Sequence, residues 1–403
     1  MSETATRAAE RAARVSYGRI LAILASRTRD IAAAEDALAE AFLAALRSWP
    51  VHGTPDHPDA WLLTVARNHM RNVHRHRAVA EAAVADLLQS TDEAAPETDT
   101  LPDERLKLLF VCAHPAIDPA IRTPLMLQVV LGLDAAQVGR AFLVAPTTMG
   151  QRLVRAKAKI RDAGLRFEVP STDDMPDRLA DVMEAVYAAY GAAWDGIAGA
   201  DEAAPELGEE ALFLGRLLVG LLPDEPEPKG LLALMLYCES RRAARRDADG
   251  RFVPLAAQDP RRWNAGMIVE AEGLLTAAAR NARFGRFQCE AAIQSVHAQA
   301  AITGRVEHAA LATLYGLLAA RCPSIGASVG RAAAQCEAGQ PDTARATLDA
   351  LPERDVAGYQ PYWVTRARVL RALGDDAAAE HALRTAIGLT SDPAVRAFLT
   401  ARS

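Results

Sequence analysis

Cysteine is scarce in this chain: five residues in 403, Cys112, Cys238, Cys289, Cys322 and Cys336, far apart and odd in number. None stands in a C-x-x-C pair, so neither a disulfide frame nor a cysteine metal site is expected, and reduced thiols fit a cytoplasmic protein. Long apolar runs are missing as well. The longest candidate, 211–222, is broken by Arg216, and the N-terminal residues hold no uninterrupted apolar stretch, so neither a membrane span nor a leader is expected. No glycine-rich phosphate loop and no Ser/His/Asp constellation is present. His114 and His297 are isolated, and an isolated His on an apolar helix is ordinarily structural. No cofactor, no metal and no enzymatic activity follow from these residues. Runs of alternating β-branched residues, which would mark strands, are absent too.

What remains is helix. Ala, Leu and Arg dominate, half of the residues are apolar, and 403 residues are enough for two or three domains. The fold class expected is all-α. Net charge is −6, which argues against a protein coated in nucleic acid, yet the charge is unevenly placed, and local placement governs a DNA contact.

Two basic segments carry the functional signal. The first, residues 67–77, holds four Arg and three His without an acidic residue and continues an apolar helical stretch that starts at Pro58. Trp61, Val65 and Asn68 recur at helical spacing, which predicts a packed side with Arg and Asn facing outward. Arg neutralises phosphates, and both Asn and Arg hydrogen-bond base edges. The second segment spans residues 118–161, three helical patterns with tight breaks. Its last helix opens at Pro146, where a missing N–H costs nothing. Leu153, Ala156 and Ile160 give that helix an apolar stripe, and Arg152, Arg155 and Lys159 point elsewhere. A short helix, a tight turn and a basic second helix make a helix-turn-helix arrangement.

Three breaks divide the chain. Residues 86–104 are acidic and contain Pro96 and Pro102; residues 168–177 form a second break; Pro223–Pro228 reads as a loop between two apolar helices. Towards the C-terminus, Gly339-Gln340-Pro341-Asp342-Thr343-Ala344 recurs 35 residues later as Gly374-Asp375-Asp376-Ala377-Ala378-Ala379, with Leu348 and Leu351 matched by Leu383 and Ala386. Helical-hairpin repeats of the tetratricopeptide (TPR) type have nearly this period. A plain helical bundle remains the alternative.

In this order the segments resemble a sigma-70 family RNA polymerase sigma factor of the extracytoplasmic-function group. Ala34-Glu35-Asp36-Ala37-Leu38-Ala39-Glu40 resembles the helix such factors set against the polymerase clamp. Ala60-Trp61-Leu62-Leu63-Thr64-Val65-Ala66-Arg67-Asn68 resembles the −10 reading segment. Thr148-Met149 with Gln151-Arg152-Leu153-Val154-Arg155-Ala156-Lys157 resembles the −35 recognition helix. Phrases such as Gln258-Asp259-Pro260-Arg261-Arg262-Trp263 and Glu290-Ala291-Ala292-Ile293-Gln294 are similar to the TPR-type extension of one subgroup. The chain departs from the pattern at Ala39, Gln137, Gly139 and Gly150.

The resemblance implies four parts. Residues 8–80 are a domain for core polymerase and the −10 element, 81–104 an acidic linker, 105–167 a helix-turn-helix domain for the −35 element, and 178–403 a TPR-like helical extension. It implies Asn68, Arg71, Asn72 and Arg75 at the −10 element. At the −35 element it implies Thr147, Thr148, Gln151, Arg152, Arg155 and Lys159, and at the polymerase Asp36 and Glu40. The segment Pro50–Pro58 is either a loop beside a captured base or an ordinary interhelical loop. The implied partners are core RNA polymerase, promoter DNA and a regulatory protein or peptide on the extension; no membrane is involved. The competing reading is a helix-turn-helix regulator with a TPR-like sensing domain.

Overall fold

The computed structural model describes residues 3–82, 104–142, 144–171, 173–195, 204–281 and 283–401. Most of the acidic linker, residues 83–103, therefore lies outside the described residues. Among those described the chain is helical, and the one β-bridge, Arg246 with Phe252, stands alone. None of the described helices is long and apolar enough to cross a membrane. The chain forms two compact units, Met1–Ala192 and Ala193–Ser403.

In the first unit, α1 (Glu3–Thr28), α2 (Ile31–His52) and α3 (Pro58–Ala82) pack on one another, and α1 also packs on α4 (Arg105–Cys112) and α5 (Pro119–Leu131). Asp30 starts α2 by accepting a hydrogen bond from the Ala33 N–H, which satisfies one of the free amides of a first turn. Ile31, Ala34, Leu38, Ala41 and Ala45 give α2 a buried stripe at helical spacing. The two halves meet closely: a Cβ on Gly18 of α1 would lie 2.0 Å from the Val130 carbonyl oxygen of α5. The core joins Leu21, Leu24 and Leu38 from the first half to Leu108, Leu109, Phe110 and Leu125 from the second, all essentially inaccessible.

The helix-turn-helix pair is α6 (Ala135–Ala141) and α7 (Pro146–Asp162). Asp134 caps α6 through the N–H groups of Ala136 and Gln137, while Gln137 Oε1 accepts back from the Asp134 N–H at 2.8 Å. This is a reciprocal capping box, and it accounts for Gln137. Two glycines follow opposite rules. A Cβ on Gly139 would meet the Val144 carbonyl oxygen at 2.6 Å, whereas one on Gly150 would find only the Ala135 Cβ at 3.7 Å, an ordinary contact. Gly150→Ala is therefore expected to stabilise the protein by about 1 kcal/mol through helix propensity. Gly139→Ala is expected to destabilise it by about 1–3 kcal/mol through overpacking. Denaturant midpoints of the two variants should move in opposite directions.

The helix α8 (Met175–Asp195) closes the first unit: Arg178 Nη2 donates to the Phe110 carbonyl, and Asp181 pairs with Arg122 at 2.7 Å. Two expectations change. The chain does not leave α2 at Pro50; the helix continues to His52, and Gly53 N–H closes it on Trp49 O. A proline so near the end removes a donor whose loss costs little. The buried stripe of α3 is Leu62, Leu63 and Ala66, while Trp61 and Val65 are half-buried and Asn68 is exposed.

The second unit is built around α10 (Pro226–Ser240), in which every residue from Gly230 to Tyr237 is buried. A helix apolar on all sides belongs inside a bundle, and α9 (Ala204–Leu221), α11 (Ala265–Ala279) and α12 (Arg286–Thr303) surround it. Glu227 ties two of these together: its carboxylate accepts from the N–H groups of Phe287 and Gln288 at the start of α12, where the helix dipole favours negative charge.

After α13 (His308–Arg321), α14 (Ile325–Glu337) pairs with α15 (Pro341–Asp349), and beyond the short α16 (Glu353–Val356), α17 (Gln360–Ala372) pairs with α18 (Asp376–Leu389). The repeated glycines do the same work in each hairpin: Gly339 and Gly374 turn the chain with φ of 80° and 79°. Ala344 and Leu348 are buried in one cluster, Ala379 and Leu383 in the next. Pro393 opens a last helix, α19 (Pro393–Thr400).

Candidate nucleic-acid interface

Two helix faces of the first unit carry the residues singled out from the sequence. On α3, the buried Leu62, Leu63 and Ala66 fix the helix, and Trp61 meets the buried Trp49 edge-on, with ring centroids 5.6 Å apart. Asn68, Arg71, Asn72 and Arg75 are all exposed on it. Arg67, on the same helix, is half-buried. Its Nε is buried without an acceptor among the described residues. Burial first, and then the positive charges of Arg27 and Arg71, hold its guanidinium below the usual arginine range. A cation crowded by other cations gains from a nearby anion such as a phosphate. In the sequence, Arg67 looks like its neighbours; its burial and the approach of Arg27 from α1 distinguish it.

On α7, Met149, Leu153, Ala156 and Ile160 face the core, while Thr147, Thr148, Gln151, Arg152, Arg155 and Lys159 are exposed. Arg152, Arg155 and Lys159 line one side of a cavity of about 450 Å³ whose other wall is Ile117 to Ile121 of the α5 start. Its charged lining is therefore three cations against one carboxylate, Asp118, set among the apolar side chains of Ile117, Ala120, Ile121 and Ala156.

Lys157 differs from the other basic residues of α7. It is 8 % exposed and its Nζ pairs with Glu35 Oε2 of α2 at 2.5 Å. Burial raises the Glu35 carboxyl above the usual range, against the opposing pull of Lys157. Beside it on α2, Asp36 and Glu40 are exposed, so the two carboxylates expected at the polymerase are accessible while Glu35 serves the fold.

Sigma-70 region 2 matches residues 14–79, and a family of unknown function, DUF6596, matches residues 178–279. The protein R00370 of Rhizobium meliloti, described as uncharacterized, is 37 % identical over 378 residues, covering 92 % of this chain and 89 % of its own length. A probable RNA polymerase sigma factor, RfaY of Xanthomonas campestris pv. campestris, is 30 % identical over 180 residues, 40 % of this chain and 44 % of that protein. No solved structure matches. With R00370 matched along most of both chains, the protein belongs to one family with R00370, and its helices α1 to α3 carry a sigma-70 region 2.

Proposed function

We propose that this protein is an extracytoplasmic-function type sigma factor that brings core RNA polymerase to a promoter and helps open the duplex. It performs no covalent chemistry. In this reading Asp36 and Glu40 meet the polymerase clamp, and Asn68, Arg71, Asn72 and Arg75 read the −10 element with Arg67 on the backbone. Thr147, Thr148, Gln151, Arg152, Arg155 and Lys159 read the −35 element. The observation that carries this reading is the presence, on the unit that contains region 2, of two separate exposed faces rich in cations and amides. A regulator with a single DNA-reading helix has no use for the face on α3.

The second unit is proposed as a TPR-like regulatory extension. Its support is the repeated hairpin and a groove of about 640 Å³ lined by Arg345, Asp349, Trp363, Arg366 and His381, which offers a regulatory peptide both an aromatic surface and charges of both signs. Working with polymerase puts the protein in the cytoplasm.

Asp36→Arg tests the polymerase contact. Reversing an exposed carboxylate opposite a basic clamp surface juxtaposes like charges, so association with core polymerase is expected to fall at least tenfold while the melting temperature stays unchanged. Pull-down of core polymerase without DNA measures this; undiminished capture places the contact elsewhere.

A further inference from the structure

Val154 is the anomaly of α7. The other large apolar side chains of that helix, Met149, Leu153 and Ile160, are buried to within 1 % of completely, yet Val154 is 63 % exposed. With 3.6 residues per turn it stands one turn after Gln151 and one turn before Ala158, beside Arg155 and away from the Leu153 stripe. It stands outside the core, and a β-branched side chain is a poorer helix former than Ala. A single exposed valine on an ordinary surface is unremarkable, but this one lies within the polar face proposed to enter the major groove. In that groove one base alone presents an apolar group, the C5 methyl of thymine.

Resting on the proposed −35 reading, the geometry points to Val154 as a specificity-determining residue that contacts a thymine methyl. Gln151 and Arg155, exposed to one side of it on the same face, supply the hydrogen bonds to neighbouring base edges. The valine thus separates thymine from cytosine at a position where a hydrogen-bonding side chain would separate purines.

The test uses the full chain with core RNA polymerase. Binding sites are selected from duplexes randomised over the −35 segment, and each thymine of the selected segment is then replaced by deoxyuridine, which lacks only the methyl. The wild-type protein should lose about three- to fivefold in affinity at one thymine, as expected for one methyl group withdrawn from an apolar contact. Val154→Ala should bind the thymine and uracil versions of that site equally, and Val154→Thr, which keeps one methyl, should retain part of the difference. Because Val154 is exposed, both variants should melt as the wild type does. A Val154→Ala protein that keeps the wild-type ratio overturns the proposal, as does indifference of the wild type to every replacement or selection of a segment without thymine. In those cases Arg152→Ala still relaxes the selected sequence, and the −35 reading stands. If Arg152→Ala and Arg155→Ala both leave the selected sequence unchanged, the −35 reading itself fails and the valine contact with it.

Discussion

Replacing Lys157 with Ala should destabilise the first unit by about 3 kcal/mol, because it strips a buried carboxylate of its partner. Glu35 keeps 18 % of its side chain exposed, which sets the figure at the low end of the range for broken buried pairs. Against a total stability of about 5–15 kcal/mol, this is a large loss for a residue that reads in the sequence as one more cation on a basic helix. Removing both charges together, as Glu35→Gln with Lys157→Met, should cost much less, since no unpaired charge is left behind. The pH dependence has a definite sign. The Glu35 carboxyl titrates higher in the folded protein than when unfolded, so the folded state binds the extra proton and stability from this group falls as pH rises through that window. Without Lys157 the upward shift grows. The gap between Lys157→Ala and wild type should therefore narrow as the pH is lowered from neutral towards the carboxylate range. Chemical denaturation across that range measures it; a gap that stays constant would mean that Glu35 is not the residue left unpaired.

The second large effect concerns DNA. Arg152→Ala and Arg155→Ala should each weaken binding to the selected −35 segment by about 1–3 kcal/mol, or roughly 5- to 150-fold, as expected for loss of a base-edge contact. Both side chains are exposed and line the cavity beside α5, so neither change disturbs the core. Capture of core polymerase should stay at the wild-type level. If a variant instead loses affinity equally for all sequences and shows a shallower salt dependence, its arginine contacts phosphate and not a base. Equal loss of polymerase binding would contradict the division of labour between α2 and α7.

Much of this was legible in the sequence because helices announce themselves locally. Pro146 starts α7, the Leu153–Ala156–Ile160 stripe fixes which way it faces, and the exposure of Arg152, Arg155 and Lys159 follows from that phase. The glycines at 339 and 374 mark the two hairpins for the same reason: a turn with positive φ needs them in each copy. What depends on distant partners was not legible. Lys157 falls one turn after Leu153, at the edge of the buried stripe, but its burial is decided by Glu35, 122 positions away. Arg67 gains its character from burial and from Arg27 on another helix. The α3 stripe was read about one residue out of phase, because Trp61 and Val65 are as apolar as Leu62 and Ala66, and only the packing of α1 and α2 chooses between them. Val154 was hidden by the same ambiguity: apolar residues in a helix are presumed to face inward until the neighbours are known.

In the proposed role this chain acts through polymerase, not beside it. Run-off transcription with purified core RNA polymerase on templates carrying the selected sites measures this most directly. The account predicts that core polymerase alone starts at no fixed position, and that adding the full chain yields transcripts from a defined start downstream of the selected −10 and −35 segments. Sequence-specific DNA binding by the chain alone, with no capture of core polymerase and no new start site, would contradict the account and make the protein a helix-turn-helix regulator.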